Sequence, residues 1–249
     1  IMHNRKKTIF ISASSSGIGF NIAKRYLSVG YKVIINGRNL SKLKKASLAL
    51  KNCDYYCGDL SEERNIKTIL NKIKKDQNYI DLLICNLGNS NFKKNNFDIE
   101  HAIKNNLLST TKLIENSKKI LKKNKSKIIC ISSICGIEQI IGAPIGYSVA
   151  KSALNFYIKL MSTELAKKGI TINGILPGNI IFEGSTWDKK MKNNSKKIKN
   201  YIKQNVPINK FGKPEDIFEI CKLISESKSK FITGSLFKLD GGQTRSIRK

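Results

Sequence analysis

The chain alternates short apolar runs with longer amphipathic stretches. Thr8–Ser12, Lys32–Asn36, Asp54–Cys57, Ile80–Ile84, Lys127–Ser132, Ile170–Leu176 and Ser235–Leu239 span four to seven residues each, and most are rich in Ile, Val and Leu. Runs this short and apolar fit strands buried on both faces. Between them, apolar residues recur at helical spacing, as in Ile22, Ala23, Tyr26 and Leu27. Strand and helix alternating in this way predict an α/β fold, a doubly wound parallel sheet of about seven strands with helices on both faces and right-handed crossovers. The 249 residues include only 4 prolines, and no Pro/Ser/Gly-rich linker breaks the pattern, so residues 1–249 read as one domain.

Two of the predicted helices, Ile99–Lys122 and Tyr147–Lys167, carry the candidate chemistry. Tyr147 and Lys151 stand four residues apart, which places a phenol and an ammonium on one helix face. A cation about 4 Å from the phenol at an effective dielectric near 20 contributes roughly 4 kcal/mol toward the phenolate. At about 1.4 kcal/mol per pKa unit that is about three units, enough to bring a tyrosine near neutral pH, where proton transfer is efficient. Taken alone, the pair could equally be two solvated residues on an amphipathic helix.

Three other segments give the pair a context. Thr8–Ile11 is followed by Ser12-Ala13-Ser14-Ser15-Ser16-Gly17-Ile18-Gly19 and then by a helical pattern. Strand, small-residue turn and helix form a phosphate cradle, with glycines allowing close backbone approach and a helix N-terminus offering free N–H groups. The second apparent strand ends at Asn36-Gly37-Arg38, and no acidic residue occurs between Gly17 and Lys51. A dinucleotide lacking the 2′-phosphate is usually held there by an Asp or Glu, and one bearing it by an Arg. Arg38 therefore predicts NADP(H). The run Ile128–Ile131 ends at Ser132-Ser133, and a hydroxyl at the carboxyl end of a parallel strand lies where open α/β sheets bind ligands.

Together these residues resemble the short-chain dehydrogenase/reductase family, in its 3-oxoacyl-[acyl-carrier-protein] reductase branch, from about Lys7 to Gly242. Ser12–Gly19 resembles the family's Thr-Gly-x3-Gly-x-Gly turn, Asp59-Leu60 its adenine contact, and Cys85-Asn86-Leu87-Gly88 its Asn-Asn-Ala-Gly segment. Asn106, Ser133, Tyr147 and Lys151 resemble its catalytic set, Pro177-Gly178-Asn179-Ile180 its nicotinamide-contacting Pro-Gly stretch, and Asp240-Gly241-Gly242 its C-terminal strand ending. The resemblance implies a Rossmann-type fold and NADP(H) held by Ser12, Ser14, Ser15, Ser16, Gly17, Ile18, Gly19, Arg38, Asp59, Leu60, Asn86, Gly88, Tyr147, Lys151, Pro177, Gly178 and Ile180. It also implies hydride transfer between a ketone and a secondary alcohol. In that chemistry Tyr147 is the general acid/base, Ser133 orients the carbonyl, Lys151 lowers the phenol pKa and holds the nicotinamide ribose, and Asn106 fixes a proton-relaying water. Ser133 lies 14 residues before Tyr147 where many members have 13, so Ser132 is the alternative.

The chain departs from the pattern in places. Ala13 stands at the first glycine, and if that position takes a positive φ, alanine costs on the order of 1 kcal/mol. Cys85 and Leu87 replace Asn and Ala, and Phe182-Glu183 stands where a threonine commonly follows the Pro-Gly stretch. Residues 182–207 read as a small helical lid carrying the chain's one tryptophan, Trp187, either a wall for the substrate or an anchor for the lid.

The formal charge is +28, with 40 of the 46 basic residues Lys. Their even spread fits compositional drift on a solvated surface. The functional alternative is a field that gathers anionic substrates, with Lys125, Lys127 and Lys168 near the site mouth to receive a phosphopantetheine carrier or a nucleotide-linked sugar. No basic-aromatic stacking motif accompanies the charge, so no nucleic-acid partner is expected. Six cysteines and two histidines offer no metal-ligand spacing beyond Cys53 and Cys57, which flank a strand, and no metal is expected. Free thiols and the lack of a secretory leader or of a run of ~20 apolar residues point to a cytoplasmic protein with no membrane partner. Leu154, Phe156, Tyr157, Leu160, Met161 and Leu165 cover more than one face of their helix, predicting a homotetramer, or at least a dimer.

The expected activity is thus NADP(H)-dependent reduction of a small-molecule carbonyl, first a 3-oxoacyl thioester. The alternatives are a sugar or sugar-nucleotide reductase of surface-polysaccharide synthesis and, from a different class, a non-catalytic NADP-binding or nucleic-acid-binding protein.

Overall fold

The computed structural model describes residues 5–51, 53–90 and 98–245. Seven parallel strands form one sheet in the order β3-β2-β1-β4-β5-β6-β7. They are β1 (Thr8–Ile11), β2 (Lys32–Gly37), β3 (Asp54–Cys57), β4 (Leu82–Cys85), β5 (Lys127–Ile131), β6 (Thr171–Pro177) and β7 (Leu236–Leu239). Each strand foreseen from the sequence is present, with ends shifted by at most two residues.

The connecting helices divide between the two faces. α1 (Gly17–Ser28), α2 (Leu40–Ala49) and α9 (Pro214–Glu226) cover one face, burying Ile22, Leu43 and Ile217 against Ile9, Val33 and Ile84. α3 (Glu63–Gln77), α5 (Ser109–Ser117) and α6 (Ile145–Ala166) cover the other, packing Ile66, Leu113 and Leu154 on Phe10, Leu83 and Ile128. Each such side chain contributes about 1.5–3 kcal/mol on burial. Because both faces are covered, β1 and β4 are fully buried, while the edge strands β3 and β7 keep exposed polar positions.

The chain runs outward through β1, β2 and β3, then returns to pair β4 with β1 on its other side. That reversal opens a crevice beyond the carboxyl ends of β1 and β4.

One helix differs from expectation. The stretch 99–122 contains α4 (Ile99–Ile103), a π-helical turn (Lys104–Leu108) and α5, and the chain leaves the helix after Ser117. The wider turn is the kind of local irregularity that marks functional sites, and it carries Asn106. The 182–207 segment folds as α7 (Thr186–Asn193) and α8 (Ser195–Asn205), capped by Ser185 and Asn194.

Lys125, Lys127 and Lys168 do not stand at the crevice. Lys127 opens β5, so it lies at the amino ends of the strands. Its ammonium donates to the carbonyls of Ile224 at 2.8 Å and Ser225 at 3.2 Å, closing the last turn of α9. Lys125 donates to the Tyr79 hydroxyl at 3.0 Å, and the Lys168 carbonyl accepts from Asn124 at the same edge. The polarity of a parallel sheet puts these groups at the opposite end from Ser133.

Candidate active site

The turn after β1 is built largely from its own backbone. Ser12 and Ser14 are fully buried. The Ser12 hydroxyl donates to the Ile84 carbonyl at 3.3 Å and accepts from Asn86 N–H at 2.8 Å. The Ser14 hydroxyl donates to the Ile11 carbonyl at 2.7 Å and accepts from Asn36 N–H at 3.0 Å. Both side chains, expected to meet the cofactor, instead lash the turn to β4 and β2. Ala13 sits at φ +48, so the strain foreseen for it is present. Asn86 donates its amide to the Ala13 carbonyl at 3.0 Å, fixing the other side.

What remains open is the start of α1. Ser15 is half-buried and Ser16 exposed, and Ser16 stands at the N-cap without bonding its side chain into the helix. No acidic residue occupies the first turn. Gly17 takes φ +62, a left-handed conformation that favours glycine. Ile18 lines the crevice, and Gly19 is buried one residue further on. An uncapped helix N-terminus without a carboxylate is a fit place for a pyrophosphate.

At the ends of β2 and β3, Arg38 Nη1 lies 3.5 Å from Asp59 Oδ2, both reachable by solvent. An exposed pair of this length holds loosely, so the guanidinium is free to turn to an added phosphate. Leu60, by contrast, is buried in the core beside Ile66 and Leu70, and its side chain cannot meet a ligand. Asn36, which the sequence reading passed over, is the hub here. Its carbonyl accepts from Ala13 N–H at 3.3 Å, and its amide donates to the Tyr56 carbonyl at 3.0 Å and the Gly58 carbonyl at 3.1 Å.

Across the crevice, Ser133, Tyr147 and Lys151 come together. β5 delivers Ser133 just past its carboxyl end, and α6 presents Tyr147 and Lys151 one turn apart. The Ser133 hydroxyl neighbours the Tyr147 phenol in the cleft and accepts from Cys135 N–H at 3.1 Å. Ser132 points elsewhere, donating to Asn155 Oδ1 at 2.6 Å. Asn155 lies one more turn along α6, so the spacing 147, 151, 155 already carried a signal for it. Lys151 is buried, with its ammonium 5.7 Å from the Tyr147 ring centre and donating to the Ile131 carbonyl at 3.1 Å.

Asn106 sits apart. It is fully buried on the π turn, donates its amide to the Ala102 carbonyl at 3.2 Å, and leaves Oδ1 without a hydrogen-bond partner. Gly88, at φ +108, passes directly over it; a methyl built on Gly88 would come 2.2 Å from that oxygen. An orphaned buried acceptor is the kind of group that holds an ordered water.

The charge balance differs from the one the spacing suggested. Desolvation pushes the Tyr147 phenol up, the neighbouring Cys135 thiol adds to this, and the Ser133 hydroxyl only partly opposes it. Burial brings Lys151 down to about 8. The ammonium, itself desolvated, does not outweigh the loss of water around the phenol. Without ligand, Tyr147 therefore holds its proton at neutral pH.

These groups line a cleft of about 920 Å³. Asn86, Gly88, Pro177, Gly178 and Ile180 line it, with apolar Ile140, Ile141, Trp187 and Ile198 and, from the same lid helices, polar Lys190, Asn194 and Lys197. Trp187 anchors the lid and also borders the cleft. It packs on Tyr201 and Phe211, ring centres 4.9 and 4.6 Å away. Among the described residues no group of three or more His, Cys, Asp or Glu could hold a metal ion, and no helix is long and apolar enough to cross a membrane.

A family profile described as Enoyl-(Acyl carrier protein) reductase matches residues 12–244. The 3-oxoacyl-[acyl-carrier-protein] reductase FabG of Rickettsia prowazekii is 34% identical over 244 residues, covering 95% of this chain and 96% of that protein. Its counterpart in Buchnera aphidicola is 30% identical over 251 residues, covering 97% and 98%. Among solved structures, ElxO with NADP bound superposes with TM-score 0.86 at 28% identity, covering 96% of this chain and 99% of that one. An L-sorbose reductase from Gluconobacter frateurii reaches TM-score 0.86 at 21% identity, covering 97% and 98%, a likeness of fold alone. With the crevice, the turn and the Ser133–Tyr147–Lys151 cluster in these positions, the chain belongs to the short-chain dehydrogenase/reductase family and is an oxidoreductase.

Proposed function

We propose that the protein interconverts a ketone and a secondary alcohol with NADP(H), and that its substrate is a 3-oxoacyl thioester. The observation that carries the reading is the meeting of Ser133, Tyr147 and buried Lys151 in one cleft that Ile140, Ile141 and Trp187 also line. The cofactor is NADP(H), supported by the NADP-bound relative at 28% identity and by Arg38 at the end of β2. The start of α1 would hold the pyrophosphate, Arg38 the 2′-phosphate, and Gly88, Pro177, Gly178 and Ile180 the nicotinamide half. Bound NADP(H) supplies or accepts the hydride.

Ser133 orients the carbonyl oxygen. Tyr147, protonated at neutral pH, donates to that oxygen as negative charge develops, and Lys151 stabilises the resulting phenolate. These groups are aimed at charge that appears only in the transition state. Asn106 Oδ1 holds a water that returns the proton. Residues 1–249 act as a single Rossmann-type unit with α7 and α8 as its lid. The full-length 3-oxoacyl reductase relatives and the apolar side chains of Ile140, Ile141 and Trp187 support an acyl substrate. A carrier-linked thioester in a cytoplasmic, reducing compartment fits the six free cysteines.

The functional unit is a homotetramer, or at least a dimer. Phe156 and Leu160 on α6 are 66% and 56% exposed, while Leu154, Met161 and Leu165 on the same helix are buried. A second apolar face on one helix supports pairing with another copy. Repulsion from the +28 charge is screened beyond about 8 Å at physiological salt.

The test is NADPH oxidation at 340 nm with 3-oxoacyl thioesters alongside keto-sugars, with light scattering at 0.15 M salt. Turnover of the thioesters by a tetramer is expected. Turnover of keto-sugars alone would replace the substrate assignment, and a clean 28 kDa monomer would overturn the assembly.

A further inference from the structure

Phe182 replaces the threonine that commonly follows the Pro-Gly stretch, and its ring lies on the phosphate turn. A methyl built on Gly17 would come 2.9 Å from Phe182 Cε2 and 3.0 Å from its Cζ. The ring thus covers the one residue of the turn that combines a left-handed backbone with a missing side chain, the combination that lets a pyrophosphate approach the start of α1. The ring is half-buried and packs with the apolar residues of α1. It takes the space on Gly17 that a side chain would otherwise fill.

The backbone of Phe182 is tied to the lid. Phe182 N–H donates to the Ser185 hydroxyl at 3.2 Å, and Ser185 N–H donates to the Phe182 carbonyl at 2.9 Å. The same Ser185 hydroxyl caps α7 by accepting from Asp188 N–H at 3.1 Å. Between them Gly184 sits at φ +78 with room where a side chain would start, and its N–H donates to Asp188 Oδ2 at 2.9 Å. α7 carries Trp187, which stacks on Tyr201 of α8, and Tyr201 accepts from Asn179 of the Pro-Gly stretch at 3.1 Å. A shift at Phe182 therefore has a contiguous path through the α7 cap to both lid helices.

We propose that Phe182 is a positioning residue that occupies the phosphate turn before the cofactor binds, and that its departure from Gly17 moves α7 and α8 over the substrate cleft. The inference rests on the NADP(H) reading above. In the cofactor-free state the apparent affinity for the dinucleotide is reduced by the fraction of molecules whose turn is covered. In the bound state the released ring and the repositioned lid close the acyl side of the cleft.

Trp187 is the only tryptophan in the chain, so its emission reports the lid directly. NADP+ is the probe, because the oxidised nicotinamide does not absorb where tryptophan emits, and calorimetry measures its binding independently of fluorescence. In the unmodified protein, Trp187 emission should change and saturate at the calorimetric Kd. Phe182→Ala should bind NADP+ roughly threefold or more tightly and lose the emission change, and Phe182→Leu, which keeps an apolar side chain over Gly17, should restore part of it. Binding without any emission change in the unmodified protein would overturn the coupling while leaving the cofactor assignment intact. So would a Phe182→Ala variant that binds no more tightly or keeps the full response. Calorimetry showing no NADP+ binding to the unmodified protein would overturn the cofactor assignment and the coupling with it.

Discussion

Ser14 and Ser133 each follow an apolar strand within three residues, and the two have opposite fates. Ser14 lies in the phosphate turn with its hydroxyl engaged at both ends by backbone partners. Ser133 lies in the catalytic cluster, lining the cleft with Tyr147 and Lys151. The turn side ties Ser12 and Ser14 into the frame, and leaves the ligand the backbone at the start of α1 with Ser16 and Arg38 exposed at its rim. The catalytic side leaves side chains available, including an unpartnered oxygen on Asn106. The difference suits the tasks: a phosphate is bound by oriented N–H groups on a rigid frame, whereas proton transfer needs side chains that can change partner.

The sharpest break in this comparison is Tyr147→Phe. It should lower kcat by about 10³-fold with NADPH affinity nearly unchanged, as followed by single-turnover kinetics and calorimetry. Retained turnover would remove Tyr147 from the mechanism.

The two serines can be set against each other directly. Ser133→Ala should lower kcat by about 10²-fold and alter stability by less than about 1 kcal/mol. Ser14→Ala should do the reverse, costing about 1–3 kcal/mol in urea unfolding because it strands a buried acceptor and an N–H. Equal stability losses would mean that the two hydroxyls are equally structural.

Lys151 gives the catalytic side a pH signature. Its folded-state value of about 8 lies below the ordinary 10.5, so between those values the folded protein has released a proton that the unfolded chain still holds. Stability from this group therefore rises with pH across that window, and below it the cost of the buried cation is fully present. Lys151→Met should remove that increment, flattening the stability-versus-pH curve between about 8 and 10.5 relative to the unmodified protein. Superimposable slopes would show that the ammonium is solvated.

On the turn side, NADPH should bind at least about tenfold more tightly than NADH, a gap of ~1.4 kcal/mol, and Arg38→Asp should reverse the order. Equal affinities in the unmodified protein would leave Arg38 paired with Asp59 alone. The smallest effect belongs to Ala13→Gly, which relieves the φ of +48 and should stabilise by about 1 kcal/mol, raising Tm by roughly 2–4 °C.

By itself the sequence determined what depends on local pattern. Seven short, mostly apolar runs alternating with amphipathic stretches specify parallel strands, whatever their order in space. The succession Thr8–Gly19 specifies strand, turn and helix, and the four-residue step from Tyr147 to Lys151 specifies a shared helix face. Even the strain at Ala13 was legible, because an alanine at the first glycine of such a turn has few conformations open to it.

Only the tertiary structure decided what depends on distant neighbours. The Ser12 and Ser14 hydroxyls look like ligand contacts along the chain, yet strands 22 and 72 residues away engage them, and the Leu60 side chain goes into the core. Lys127 reads as part of the site mouth until the direction of β5 carries it to the far edge. The π turn that seats Asn106 has no period of its own in the sequence. The phenol of Tyr147 rises rather than falls because burial, a property of the whole assembly of elements, acts on it more strongly than one ammonium a turn away. Phe182 meets Gly17 across 165 residues of chain, and no local rule connects them: the contact exists because the end of β6 and the start of α1 are brought to the same crevice by the sheet between them.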